Sequence, residues 1–146
     1  MSRRTRPSAE LGFTLVELLV VIVIIGLLAT IVAINVMPLL GTGRVTKAKS
    51  DVSTLEGAIE QYHIDNLDYP SATDGLQALV TAPASLAQPQ RYRQGGYIRR
   101  LPNDPWGHAY EYRVPGKRGP FDVVSLGADG KPGGDGDNAD IYSSDL

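Results

Sequence analysis

The chain has 146 residues, 42% of them hydrophobic, no cysteine, and a formal net charge of −2. That length holds one apolar segment plus a single small domain of about 100 residues. The weakly acidic balance argues against nucleic acid as a main partner, and the lack of cysteine excludes disulfide bracing and thiol chemistry.

The chain opens on a basic arm, with Arg3, Arg4 and Arg6 opposed only by Glu10. Then comes Gly12-Phe13-Thr14-Leu15-Val16-Glu17, followed by an apolar run from Leu18 to Leu40 without Lys, Arg, Asp, Glu or His. At a rise of about 1.5 Å per residue this run is long enough to cross a bilayer core of about 30 Å. The basic arm is expected on the cytoplasmic side. Glu17 places a carboxylate just inside the apolar stretch. An unpaired charge costs about 2.5–3.5 kcal/mol at the membrane centre and less near its edge, so Glu17 marks a functional position if a partner for it exists. A cleaved secretory signal has a shorter apolar core and a small-residue site after it. Here the run is too long, Glu17 interrupts it, and no A-x-A pattern follows. Ser2-Arg3-Arg4 hints at a twin-arginine signal, but the acidic residue argues against it. From these residues alone, an ordinary single-span anchor with an incidental Glu17 is the plain alternative.

The stretch around Gly12 resembles the leader of the type IV pilin and pseudopilin superfamily. The resemblance implies that a prepilin peptidase cuts between Gly12 and Phe13, removes residues 1–12, and N-methylates Phe13. Loss of that leader takes away three Arg and one Glu and leaves side chains summing to −4. Phe13 and Glu17 are four apart and share one helix face. The resemblance further implies that Glu17 of an incoming subunit pairs with the terminal amine of a neighbour. Each charge is uncomfortable alone in a low-dielectric core, and pairing relieves both.

Residues 13–40 are expected to form the membrane-spanning, filament-core half of a long helix, and residues 41–66 its amphipathic continuation. Pro38, Gly41 and Gly43 are weak points in it. Members of the superfamily commonly carry a proline about one turn earlier, where this chain has Ile34, so the bend is expected to be displaced. Val45, Ala48, Val52, Leu55, Ile59 and Tyr62 follow alternating steps of three and four and make one apolar stripe. Lys47, Lys49, Asp51, Glu56 and Glu60 fall off it. The helix is expected to end near Asp65-Asn66, ahead of Tyr69-Pro70.

Residues 67–146 read as a small α+β domain. Ser71 and Thr73 can cap a short second helix carrying Leu76, Leu79 and Val80, which Pro83 ends. Residues 84–97 read as loop. Leu101-Pro102-Asn103-Asp104-Pro105-Trp106-Gly107 is turn chemistry around one buried aromatic. Ala109 to Val114 alternates like a strand, Pro115 to Pro120 makes a turn, and Phe121 to Leu126 reads as the next strand. Two strands need a further strand or a helix for cover, and the stripe of the long helix supplies it. Gly127 to Asp140 is rich in Gly and Asp. Taken alone it fits either an acidic disordered tail or a calcium loop, since Ca²⁺ takes six to eight hard oxygen ligands and glycines let carbonyls fold inward. The spacing is not that of an EF-hand. Gly133 to Asn138 nearly matches a β-helix calcium repeat but occurs once.

Gly95-Gly96-Tyr97-Ile98, Leu101-Pro102, Asp104-Pro105-Trp106-Gly107, Ser125-Leu126-Gly127-Ala128-Asp129-Gly130 and Ala139-Asp140-Ile141 resemble the major pseudopilins of type II secretion systems. The resemblance runs from the leader nearly to the chain end. It implies a pilin-like fold, a long N-terminal helix packed on a small antiparallel sheet, with one Ca²⁺ in the last loop holding the C-terminal part onto the sheet. The implied ligands are the Asp129 and Asp140 carboxylates and the Leu126 carbonyl, with Asp137 as a further candidate and Asp135 and the intervening carbonyls open. The implied function is structural: an inner-membrane precursor of a Gram-negative bacterium polymerises with itself into a periplasmic filament that drives export of folded proteins across the outer membrane. Its implied partners are minor pseudopilins, the prepilin peptidase and an inner-membrane assembly platform. A major type IV pilin is the related alternative, disfavoured by the absence of cysteine. A membrane-anchored calcium-binding protein that never polymerises is the more distant one. No nucleophile–base pair, phosphate loop or zinc spacing is present, and His63 and His108 read as surface or satisfied polar groups. Arg91, Arg93, Arg99 and Arg100 form a basic patch that reads as a solvated face or as a contact for an acidic surface.

Overall fold

The computed structural model describes residues 12–146. They fall into two compact units, one ending at Leu39 and the other spanning Leu40–Leu146. Helix α1, Leu15–Asn66, contributes to both. Its helical backbone continues through Pro38, Gly41 and Gly43, the expected weak points. The leader proper, residues 1–11, lies outside the described residues.

In the first unit the apolar side chains are exposed from Phe13 to Val36, among them Leu15 at 87% and Leu27 at 63%. Nothing among the described residues covers them. By length and composition this helix is able to cross a membrane.

In the second unit the expected stripe is the spine of the core. Ala48, Val52, Leu55, Ile59 and Tyr62 are buried, and Val45 packs against them half-covered. They meet Leu76, Ala78 and Leu79 from one side and Tyr110, Phe121, Val123 and Ile141 from the sheet. α1 ends at Asn66, where Leu67 takes a left-handed φ of 64° and its N–H donates to the His63 carbonyl at 2.7 Å. This closes the last turn as an αL cap does, although the side chain is not glycine. Leu55→Ala is expected to remove about 3 kcal/mol, because the stripe is enclosed on both sides and cannot collapse onto the gap. Thermal melting reads this as a fall of more than about 10 °C for a domain of this size. A variant melting within 2 °C of the parent would deny the stripe its role as core.

The expected second α-helix is instead a 3-10 turn, Gly75–Leu79. Its N-cap residue is Asp74 and no side chain caps it, so neither Ser71 nor Thr73 takes the expected role; the Ser71 Oγ instead accepts the Asp74 N–H at 3.1 Å, just ahead of the turn. Gly75 sits at φ 57°, and so short a segment closes more tightly than an α-helix. Leu76 and Leu79 still point into the core.

The sheet has three antiparallel strands in the order β1-β2-β3: β1 Glu111–Arg113, β2 Asp122–Ser125 and β3 Ile141–Tyr142. Tyr112 faces Val123 across the first pair and Ser125 faces Ile141 across the second. The first two strands are shorter than the alternating segments that signalled them, and β3 was not anticipated. Tyr110 ties the sheet to α1, its hydroxyl donating to Asp51 at 3.0 Å; burial and that carboxylate push the phenol well above its usual range. Trp106 is half-buried rather than buried, with Nε1 enclosed and unpartnered among the described residues.

Asp122, on the central strand and 1% exposed, clamps two loops. Its carboxylate accepts Lys117 N–H at 2.7 Å, and the Ser143 hydroxyl and Ser144 N–H each at 3.3 Å. Burial works to raise its pKa, but these donors outweigh burial and hold the carboxyl below the ordinary range. A folded-state pKa below the unfolded one contributes stability above about pH 4 that is lost as pH falls through the folded value. Asp122→Asn is therefore expected to flatten the acid limb of a melting-temperature profile below about pH 4. An unchanged acid limb would rule the clamp out as its source.

Candidate functional site

Two regions carry the candidate chemistry. The first is the start of α1. Gly12, Phe13 and Thr14 are non-helical and exposed, with Phe13 at 84%, so the Gly12–Phe13 peptide lies on unwound chain ahead of the helix. The Glu17 N–H donates to Thr14 Oγ1 at 3.2 Å, and the Thr14 N–H donates to Glu17 Oε2 at 3.4 Å. This is a reciprocal capping box, with Thr14 as N-cap and Glu17 at the third helical position. The carboxylate also lies at the positive end of the helix dipole. Glu17 thus begins a helix within the subunit as well as presenting a charge. Thr14 had no role assigned from sequence, although its spacing to Glu17 carries the signal.

The second region is the loop after β2. Its entry is held by Asp104, whose side chain is completely buried. Asp104 Oδ1 accepts the N–H groups of Trp106 at 3.1 Å and His108 at 2.8 Å, and Oδ2 accepts the Ser125 hydroxyl at 2.8 Å. Ser125 Oγ in turn accepts the Gly127 N–H at 3.3 Å, while His108 Nδ1 lies 3.1 Å from the Gly127 carbonyl. That contact is a hydrogen bond when the ring proton is on Nδ1. Asp104 therefore fixes the peptide directly after Leu126. From sequence Asp104 is a turn residue and part of the motif that carries the family resemblance; its buried clamping role comes from the fold.

Within the loop the chain packs on itself. A Cβ on Gly127 would lie 2.7–2.8 Å from the Asp137–Asn138 backbone, and one on Gly134 would lie 2.6 Å from the Asn138 carbonyl oxygen. Both glycines have positive φ, so close approach and conformation each require them. The Ala128 N–H donates to the Asp137 carbonyl at 2.8 Å and closes the loop.

The proposed ligands stand as follows. Leu126 is half-buried at the end of β2. Asp129 is exposed, with Oδ1 accepting the Lys131 N–H at 3.1 Å. Asp140 Oδ2 accepts the Gly133 N–H at 3.0 Å and the Tyr142 hydroxyl at 3.3 Å, while its Oδ1 is enclosed and has no donor among the described residues. Asp137 lies in a 3-10 turn, Gly136–Asn138, with its carboxylate directed at Gly41 of α1. Among the described residues no three His, Cys, Asp or Glu side chains are grouped to hold a metal. A site here would draw on carbonyls alongside carboxylates.

Of the basic patch, Arg93 pairs with Asp65 at 3.3 Å and lies over the Tyr97 ring. Arg91, Arg99 and Arg100 are exposed. His63 stacks on Tyr69 with ring centroids 4.0 Å apart.

The family model described as type II secretion system (T2SS), protein G, matches residues 35–144, and a prokaryotic N-terminal methylation motif matches residues 7–33. Proteins named type II secretion system core protein G are similar over most of their length. That of Pseudomonas aeruginosa is 48% identical, covering 92% of this chain and 94% of the relative. That of Vibrio cholerae is 48% identical, covering 90% of each. The crystal structure of the major pseudopilin from the type 2 secretion system of enterohaemorrhagic Escherichia coli is 40% identical, with a TM-score of 0.66 over 77% of this chain and 96% of that one. A family match over most of the chain, relatives at this identity and a shared fold together establish that the chain belongs to the type II secretion system protein G family, a family of structural pseudopilin subunits.

Proposed function

We propose that this protein is the major structural subunit of a type II secretion pseudopilus, polymerising in the periplasm to drive export of folded proteins across the outer membrane. The observation that carries this reading is 48% identity spread over 92% of the chain with a protein named for that system's core. On this reading the precursor sits in the inner membrane of a Gram-negative bacterium, with its basic arm cytoplasmic and its second unit periplasmic. Prepilin peptidase cuts between Gly12 and Phe13 and methylates the new amine. Glu17 pairs with the Phe13 amine of an adjoining subunit, and minor pseudopilins and an inner-membrane assembly platform complete the machine. The exposed, unwound Gly12–Phe13 peptide supports cleavage there.

The residues of the last loop fit a calcium ion. Asp140 Oδ1 is an enclosed carboxylate oxygen without a donor among the described residues, a costly state for an anion that a hard cation relieves. Asp129, Asp140, the Leu126 carbonyl and Asp137 are the groups that would hold it. When bound, Ca²⁺ neutralises the loop's carboxylates and ties β3 to the rest of the sheet. Asp104 fixes the peptide after Leu126, and Gly133 and Tyr142 orient Asp140 through its other oxygen.

Deleting the protein in its host tests the function. Folded exoproteins are expected to accumulate in the periplasm, and complementation should release them. Normal secretion with loss of surface fibres instead would move the protein to the type IV pilins.

A further inference from the structure

We propose that Gly41 is the seat on α1 for the C-terminal loop. The Asp137 carboxylate rests on it, and this contact holds the loop in the closed form that takes up its cation. For the cation the proposal rests on the calcium reading above; for the seat it rests on geometry alone.

Gly41 lies in the helical run of α1 and its φ is not positive, so the conformational freedom of glycine is not what the position uses. Glycine there weakens the helix relative to alanine. What it supplies is space. A Cβ at Gly41 would lie 2.9 Å from each oxygen of the Asp137 carboxylate and 3.3 Å from its Cγ. Gly43, two residues further on, would meet nothing within 4 Å, so the same residue type in the same helix carries no such constraint.

The turn that bears Asp137 is gripped from its other side as well. The Asp137 carbonyl accepts the Ala128 N–H at 2.8 Å, and Gly127 approaches so closely that a Cβ on it would lie 2.8 Å from that carbonyl oxygen. Residues 136–138 are therefore held between Gly127, through the backbone, and Gly41, through a side chain. Gly127 adjoins Leu126 and lies two residues before Asp129, while Asp140 follows Asp137 by three. Moving Asp137 off the helix shifts the two arms of the loop that carry those groups.

The test uses the full chain in detergent micelles, with Ca²⁺ titration and hydrogen exchange at the Ala128 amide as readouts. Gly41→Ala is expected to speed Ala128 exchange at least tenfold, with or without chelator, and to raise the Kd for Ca²⁺ at least fivefold. Gly43→Ala should change neither by more than twofold, although both substitutions favour the helix. In an Asp137→Ala background, which also removes one of the groups proposed to hold the ion, Ala128 exchange alone is read, and Gly41→Ala should add less than a twofold further change. Exchange and affinity in Gly41→Ala within twofold of the parent would overturn the seat. So would a Gly41→Ala effect that persists in full without the Asp137 carboxylate. A parent chain that binds no Ca²⁺ would overturn the calcium reading instead, and the exchange measurement would then decide the seat by itself.

Discussion

Replacing Glu17 by alanine is expected to leave a chain that is cut and membrane-inserted but builds no filament. The physical reason is the charge left behind. On the proposed reading, the Phe13 ammonium that cleavage leaves on one subunit needs a counter-charge in the assembled core. At a separation of about 4 Å and an effective dielectric constant near 20, such a pair is worth about 4 kcal/mol. Its loss weakens subunit addition by about a thousandfold, which fibre counts by electron microscopy would read as near absence. Alanine also breaks the capping box with Thr14, so a second variant is needed to separate the two roles. Glutamine at a third helical position still completes a capping box. Glu17→Gln therefore keeps the helix start and removes the charge. If Glu17→Gln assembles like the parent, the ion pair is dispensable and Glu17 serves as a cap alone. If both variants fail to assemble while intact mass shows residues 1–12 removed, the charge is what assembly requires.

The second large effect concerns Asp140. If the last loop binds Ca²⁺ as proposed, then at a free Ca²⁺ concentration about a hundred times the dissociation constant the ion stabilises the folded state by about 2.7 kcal/mol. For a domain of about 100 residues this corresponds to a melting temperature about 10–20 °C higher with calcium than with chelator. Asp140→Asn is expected to abolish most of that difference. Its melting curve in calcium should fall to that of the chelated parent, and chelator should lower it no further. In the absence of calcium the order should reverse or close, because the variant no longer encloses the unpaired carboxylate oxygen that the parent carries. A parent protein whose melting temperature ignores both calcium and chelator would remove the metal from the account.

Much of the fold is written in local periodicity. The stripe from Val45 to Tyr62 needs only the 3.6-residue repeat to be seen, and those side chains are the ones the fold encloses. The apolar run after Glu17 is equally plain. The Thr14–Glu17 box is readable from its spacing, since both its bonds are made within one helical turn. Segments whose conformation depends on distant partners were harder to read. β3 is two residues long and shows no alternation; it is a strand because β2 offers Val124 and Ser125 an antiparallel neighbour. β2 reads as a strand from its residues, but its burial at all four positions does not follow from them, and its enclosed Asp122 is satisfied by donors 5, 21 and 22 residues away. The second helix failed to lengthen because Gly75 starts it in a conformation that an α-helix does not continue.

Sequence alone determined the apolar anchor, the acid within it, the amphipathic stripe and the Asp- and Gly-rich composition of the last loop. Each is a property of neighbours within about two helical turns, where composition and spacing fix the physics. Only the tertiary structure decided that Asp104 is a buried clamp beneath Leu126–Gly127, that Asp140 keeps one oxygen enclosed without a donor, and that Asp137 rests on Gly41. Those facts follow from which distant segments the hydrophobic stripe draws together, and burial turns an ordinary turn aspartate into a group that must find its partners within the fold.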